Sequence, residues 1–138
     1  MINLNTNWVT ILASAVATMV LGFLWYSPIL FGKEWMELIG LNKEDMEKAK
    51  KSMPKTYLVS ALTSVITAFV LKQFIDLFYI VNIYDAVQLA FWVWFGFIAT
   101  TLVTGVLFEG KSWKLFIINS GYQLASVILM SVILSYWV

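Results

Sequence analysis

Four ionisable side chains, Lys72, Asp76, Asp85 and Glu109, fall within or at the ends of long apolar stretches. An acid or base held in lipid is expensive, and its usual uses are proton relay and ion passage. Depth argues for milder roles here. Lys72 lies roughly 25 Å along its stretch at about 1.5 Å per residue, close enough to one interface to snorkel. Asp76 follows at the i+4 position and can pair with it. Asp85 comes three residues after Asn82, in the pattern of a helix cap. Glu109 closes its stretch beside Gly110 and Lys111. The helix dipole disfavours a carboxylate at that end, so a compensating group is expected nearby, and Glu109 is kept as a candidate.

Other chemistry has little to work with. The chain has no cysteine and no histidine, so thiolate nucleophiles and the commonest general base and metal ligand are excluded. Ser52 with Lys51 or Lys55 could form a Ser-Lys pair, but these are loop residues with no supporting pattern. The expectation is a protein that is not an enzyme, with no cofactor and no metal. A net charge of +1 gives no reason to expect a nucleic-acid partner.

Uncharged polar residues are more telling. Asn119, Tyr122, Gln123 and Ser126 recur at helical spacing on one face of the last apolar stretch. Asn and Gln are costly in lipid unless paired, so Asn119 and Gln123 must face protein or water. Thr56, Ser60, Thr63, Ser64 and Thr67 share a face of the second stretch. Thr10, Ser14, Thr18 and Gly22 step by four along the first, and Gly96, Thr100 and Thr104 along the third. For the first three stretches, close packing of small and hydroxyl residues is the favoured reading. For the last, the balance between packing and a polar interior is closer.

The elements that must position these residues are long helices. Of 138 residues, 61% are hydrophobic and 12% charged, against roughly half and a quarter in soluble domains. Four stretches reach the roughly 20 residues that cross a bilayer, at about 8–27, 56–81, 84–108 and 114–137. Strands in lipid must close into barrels of shorter alternating segments, so helices follow. The fold class expected is all-α, a polytopic integral membrane four-helix bundle forming a single domain. The first stretch lacks a positive leading region and a small-residue cleavage site, so it is expected to remain as helix one.

Lysine placement orients the bundle. Lys33, Lys43, Lys48, Lys50, Lys51 and Lys55 lie between stretches one and two, and Lys111 and Lys114 between three and four. The segments 28–55 and 109–113 are therefore expected in the cytoplasm, both termini outside, in the cell membrane. Trp25, Trp35 and Trp113 would mark the inner interface, and Trp8 and Trp137 the outer one. Within 28–55, Asn42 and Asp45 fit a helix N-cap, Lys48, Lys50 and Lys51 suit a C-terminal turn, and Pro54 reads as a stop. A short surface helix is expected there, separate from the second span.

Two segments share letters. Leu30-Phe31-Gly32-Lys33-Glu34-Trp35 and Leu107-Phe108-Glu109-Gly110-Lys111-Ser112-Trp113 match apart from one insertion and one substitution. A duplicated hairpin would explain this, as would ordinary interface residues at helix ends.

The stretch from Gly22 to Trp35, with Trp25-Tyr26-Ser27-Pro28 and then Gly32-Lys33, resembles the signature of domain of unknown function 1761. That family comprises small, mainly bacterial, four-span membrane proteins. Phe108-Glu109-Gly110-Lys111-Ser112 and Asn119-Ser120-Gly121-Tyr122 are also similar to it. The resemblance covers nearly the whole chain and implies fold and membrane location, but no activity. Pro28 cannot continue helix one, so the motif reads equally as a structural elbow.

Two functions compete. One is a transporter or channel-like subunit that self-associates, since four helices enclose little space. The other is a structural or regulatory membrane protein that binds lipid or a larger partner through its lysines. Export by the route of the small multidrug exporters needs a carboxylate in helix one, and none is present.

Overall fold

The computed structural model describes residues 2–136, and among them there are five helices and no strand. Helix α1 spans Trp8–Trp25, α2 Gly32–Ile39, α3 Lys43–Leu77, α4 Ile83–Glu109 and α5 Trp113–Tyr136. Helices α1, α3, α4 and α5 are long and apolar enough to cross a membrane. The outer-interface role expected of Trp137 lies outside the described residues.

Three of the long helices begin where the sequence supplies a cap. Asn7 accepts from Thr10 N at 3.2 Å, and Asn82 from Asp85 N at 2.9 Å, the cap expected there. Asn42 and Asp45 form a reciprocal capping box, with Asp45 N donating to Asn42 Oδ1 at 2.8 Å and Asn42 N to Asp45 Oδ2 at 3.4 Å. Gly110, with φ of 68°, ends α4 in the left-handed conformation.

The segment 28–55 differs from expectation. It contains an additional helix, α2, and the surface helix does not stop at Pro54. Instead Lys43–Leu77 is one continuous helix with Pro54 inside it. Proline removes one N–H and crowds the carbonyl of Lys50, but the helix continues on either side. Residues 50–60 are exposed, so the freed carbonyl reaches solvent. With 35 residues, α3 is about 52 Å long, well beyond the roughly 30 Å of a hydrocarbon core.

Helix α5 is the hub, packing on α1, α3 and α4, while α4 lies mainly against α5 alone. Ala86 and Ala90, both fully buried, let α4 approach closely. The apolar core gathers Ile11, Leu71, Ile75, Val127, Met130 and Leu134 near the end where the 78–82 turn lies. The two lysine-bearing connections meet at the other end, where Lys114 Nζ pairs with Glu34 Oε2 at 3.2 Å. The segments that share letters do not share a backbone. Gly32 opens α2 at negative φ, whereas Gly110 is a left-handed cap.

The small-residue stripes part company. On α1, Thr10, Ser14 and Thr18 are buried between helices, as close packing requires. On α4, Gly96, Thr100 and Thr104 are exposed, so they pack against no other helix of this chain. On α4 that face turns outward, away from the other helices of this chain. Residues Trp94–Ala99 of α4 adopt a π-helical turn. That turn lies against α5, and the Trp94 indole donates to Ser120 O at 2.8 Å.

Candidate functional site

The polar faces of α3 and α5 meet. Ser60, Thr63, Ser64 and Thr67 from α3 face Tyr122, Gln123 and Ser126 from α5 across a cavity of about 290 Å³. Thr18 of α1 closes one side, and Val127 and Met130 supply an apolar floor. Thr18, Thr63 and Thr67 donate their hydroxyls to carbonyls of their own helices, at 2.9, 2.9 and 2.8 Å. Ser126 Oγ is buried and has no partner among the described residues. Gln123 lies ten residues into a 24-residue helix, near its middle. The α3 hydroxyl face thus forms a cavity wall, where its spacing alone favours helix packing. Thr63 and Thr67 remain exposed, so no helix covers them.

At one end of this cavity sits an aromatic clamp. Tyr122 donates its hydroxyl to Thr18 O at 3.2 Å, and Tyr26 donates to Asn119 Oδ1 at 2.8 Å. The Trp25 indole donates to Ile118 O at 3.0 Å. The Tyr26 ring meets Tyr122 at 5.3 Å and Trp35 of α2 at 5.4 Å between centroids. Two glycines make room: a Cβ on Gly121 would lie 3.2 Å from the Trp25 ring, and one on Gly22 would lie 3.0 Å from the Tyr122 hydroxyl.

The turn after α1 is built for this. Ser27 Oγ donates to Leu24 O at 2.7 Å, and Ser27 O accepts from Leu30 N and Gly32 N at 3.1 and 2.9 Å. Pro28 occupies the second position of that turn, where its fixed φ is suited. At Gly32 a Cβ would lie 2.4 Å from Tyr26 O, so only glycine fits. Lys33 is exposed and makes no ion pair among the described residues.

The residues that carried the sequence motifs, Trp25 and Tyr26 on one side and Asn119 to Tyr122 on the other, are thus one contact surface. The family profile described as protein of unknown function, DUF1761, matches residues 9–135. The chain belongs to the DUF1761 family. No curated protein and no solved structure matches it. In this DUF1761 chain the Trp-Tyr-Ser-Pro step is the elbow that aims two aromatic side chains at α5.

The ionisable candidates lie elsewhere. Glu109 does not join the polar face of α5: it is exposed and pairs with Lys111 at 3.0 Å, the compensation its helix end required. Lys72 pairs with Asp76 at 2.6 Å, as the i+4 spacing suggests. It does not snorkel, however, being only 3% exposed. The reason is the segment before α1, which covers it. Asn3 N donates to Gln73 Oε1 at 2.8 Å and Gln73 Nε2 returns to Asn3 O at 3.1 Å, strapping that segment to α3. Asn3, Asn5, Thr6 and Asn7 then line a shallow polar pocket with Lys72 and Asp76. Sequence reasoning misses this strap, although alternating asparagines before an apolar run are its trace.

Proposed function

We propose that this DUF1761 protein passes a small solute through the cell membrane, with the cavity between α1, α3 and α5 as its binding site. The observation that carries this reading is the cavity itself. A hydroxyl-lined space beside a mid-helix glutamine, in a protein with four span-length helices, has polar capacity that lipid cannot satisfy. The reading is of binding and passage rather than catalysis. Its orientation follows from the lysines, with their end in the cytoplasm and both termini outside.

Self-association belongs to the same proposal. The exposed Gly96, Thr100 and Thr104 step on α4 suits a second copy, because small residues allow close helix approach. The test is the mass of the full chain in nanodiscs with bound lipid counted, followed by flux in proteoliposomes. A defined oligomer with saturable solute flux supports the proposal. A monomer without flux removes it.

A second reading has its own observation. The first turns of α3 run past the apolar stretch and present Lys43, Lys48, Lys50, Lys51 and Lys55. Such a projection suits contact with anionic lipid or a larger partner. A monomer that retains anionic lipid and loses it on replacing these lysines favours this second reading.

A further inference from the structure

The lining of the cavity restricts the chemistry of what can occupy it, and the restriction rests on the cavity being the solute site. Apart from Tyr122, none of the described residues that line it is ionisable. Lys72 and Asp76, the nearest ionisable pair on α3, line a separate pocket and neutralise each other there. A charged solute at this depth would therefore lack a counter-charge, and an unpaired charge near the bilayer centre is strongly disfavoured.

An apolar solute fits no better. Ser126 is only 6% exposed, and its hydroxyl has no partner among the described residues. Buried hydroxyls in folded proteins nearly always have one. The Gln123 amide lines the same space with no hydrogen bond to another described residue, and it can both donate and accept. The hydroxyls of Thr18, Thr63 and Tyr122 spend their protons on carbonyls and so offer acceptor oxygens. The cavity therefore presents several acceptors, one amide and the uncommitted hydroxyls of Ser60, Ser64 and Ser126, only the last of them buried, over the apolar floor of Val127 and Met130. Its volume of about 290 Å³ is at the small end for a ligand pocket, typically about 300 Å³ upward.

We infer that the cavity takes a small uncharged polyhydroxylated solute, a polyol or the polyol portion of a lipid, held by Gln123 and Ser126. Hydroxyls along one edge of a polyol supply donors to the threonine and tyrosine oxygens and acceptors to the amide. Its C–H edge rests on the valine and methionine.

The test is equilibrium binding of tritiated glycerol and sorbitol to the full chain in phosphatidylcholine nanodiscs. Mono-oleoylglycerol is the lipid-borne arm, and sodium, choline and acetate are the charged arms. Saturable polyol binding, weakened roughly tenfold by Gln123→Leu and measurably by Ser126→Ala, is the expected result. Ser126→Ala removes only an unpartnered hydroxyl, so it keeps the test valid should the larger change disturb folding. Competition by mono-oleoylglycerol alone would assign the polyol to a lipid. Saturable binding of sodium or choline without polyol binding overturns the inference while leaving solute passage standing. Water permeation without binding of any probe also overturns it. Absence of both binding and flux overturns the inference and the solute-site reading together.

Discussion

The hydroxyl of Tyr26 donates to Oδ1 of Asn119 at 2.8 Å, joining residues 93 positions apart. One closes the first helix and the other lies in the last, so this bond fixes α1 against α5 beside the cavity. Tyr26→Phe should leave the Asn119 amide short of a partner and lower stability by about 1–3 kcal/mol. Adding Asn119→Leu removes the stranded group and should restore most of the loss. Thermal unfolding in detergent of both singles and the double measures this, and a loss in the double equal to the sum of the two single losses would show that the bond contributes nothing.

Gly32 is irreplaceable for a steric reason. Its Cβ position lies 2.4 Å from Tyr26 O and 2.7 Å from Ser27 O, both backbone atoms that cannot swing aside. Gly32→Ala should therefore open the elbow, release Tyr26 from Asn119 and reduce the yield of folded protein. Lys33→Ala is the control, since the neighbouring lysine is exposed and makes no ion pair among the described residues. Folded yield by size exclusion should fall for the first and hold for the second.

The Lys72–Asp76 pair predicts an asymmetry. Lys72 is buried, so Asp76→Asn should strand its charge and cost about 3 kcal/mol or more, as breaking buried pairs does. Combining Asp76→Asn with Lys72→Met removes the stranded charge as well and should cost far less. Thermal unfolding of the single and the double variant measures the difference. A double variant as unstable as Asp76→Asn alone would mean that the packing of the strap, and not the charge, sets the penalty.

Pro54 sits in an exposed helix interior, where proline costs about 3 kcal/mol relative to alanine. Pro54→Ala should slow amide hydrogen exchange through residues 50–58 and leave exchange in α5 unchanged. Unaltered exchange around Lys50 would show that the helix is already broken there in solution.

Much of this fold was legible because lipid leaves the backbone few options. Trp8 to Trp25 and Ile83 to Glu109 read as spans, and the caps at Asn42 and Asn82 read from side-chain chemistry alone. Pro54 misleads because a proline's local cost is easily weighed without the capped helix on one side and the apolar span on the other, whose cooperativity carries the chain through. Tyr79 could not have been read as a left-handed residue, since its φ of 54° is set by the turn that brings Ile80 N onto Ile75 O at 3.0 Å. The site was half legible. Spacing put Tyr122, Gln123 and Ser126 on one face, but a helical face says nothing about its neighbour. Whether Ser60 to Thr67 line a cavity or pack tightly depends on how far apart α3 and α5 stand, which is a property of the whole bundle.

The length of α3 has a mechanical meaning. Ser60 to Thr67, a wall of the cavity, and Lys43 to Lys55, the charged overhang, belong to one uninterrupted rod. A sideways push on the overhang cannot be absorbed by a flexible joint, because none separates the two halves, and it must emerge as tilt of the wall. Pro54, at the boundary between handle and wall, removes one backbone donor, but the helix is continuous through it. A partner or a charged lipid surface that grips the lysines would thereby hold a lever whose short arm widens or narrows the polar cavity.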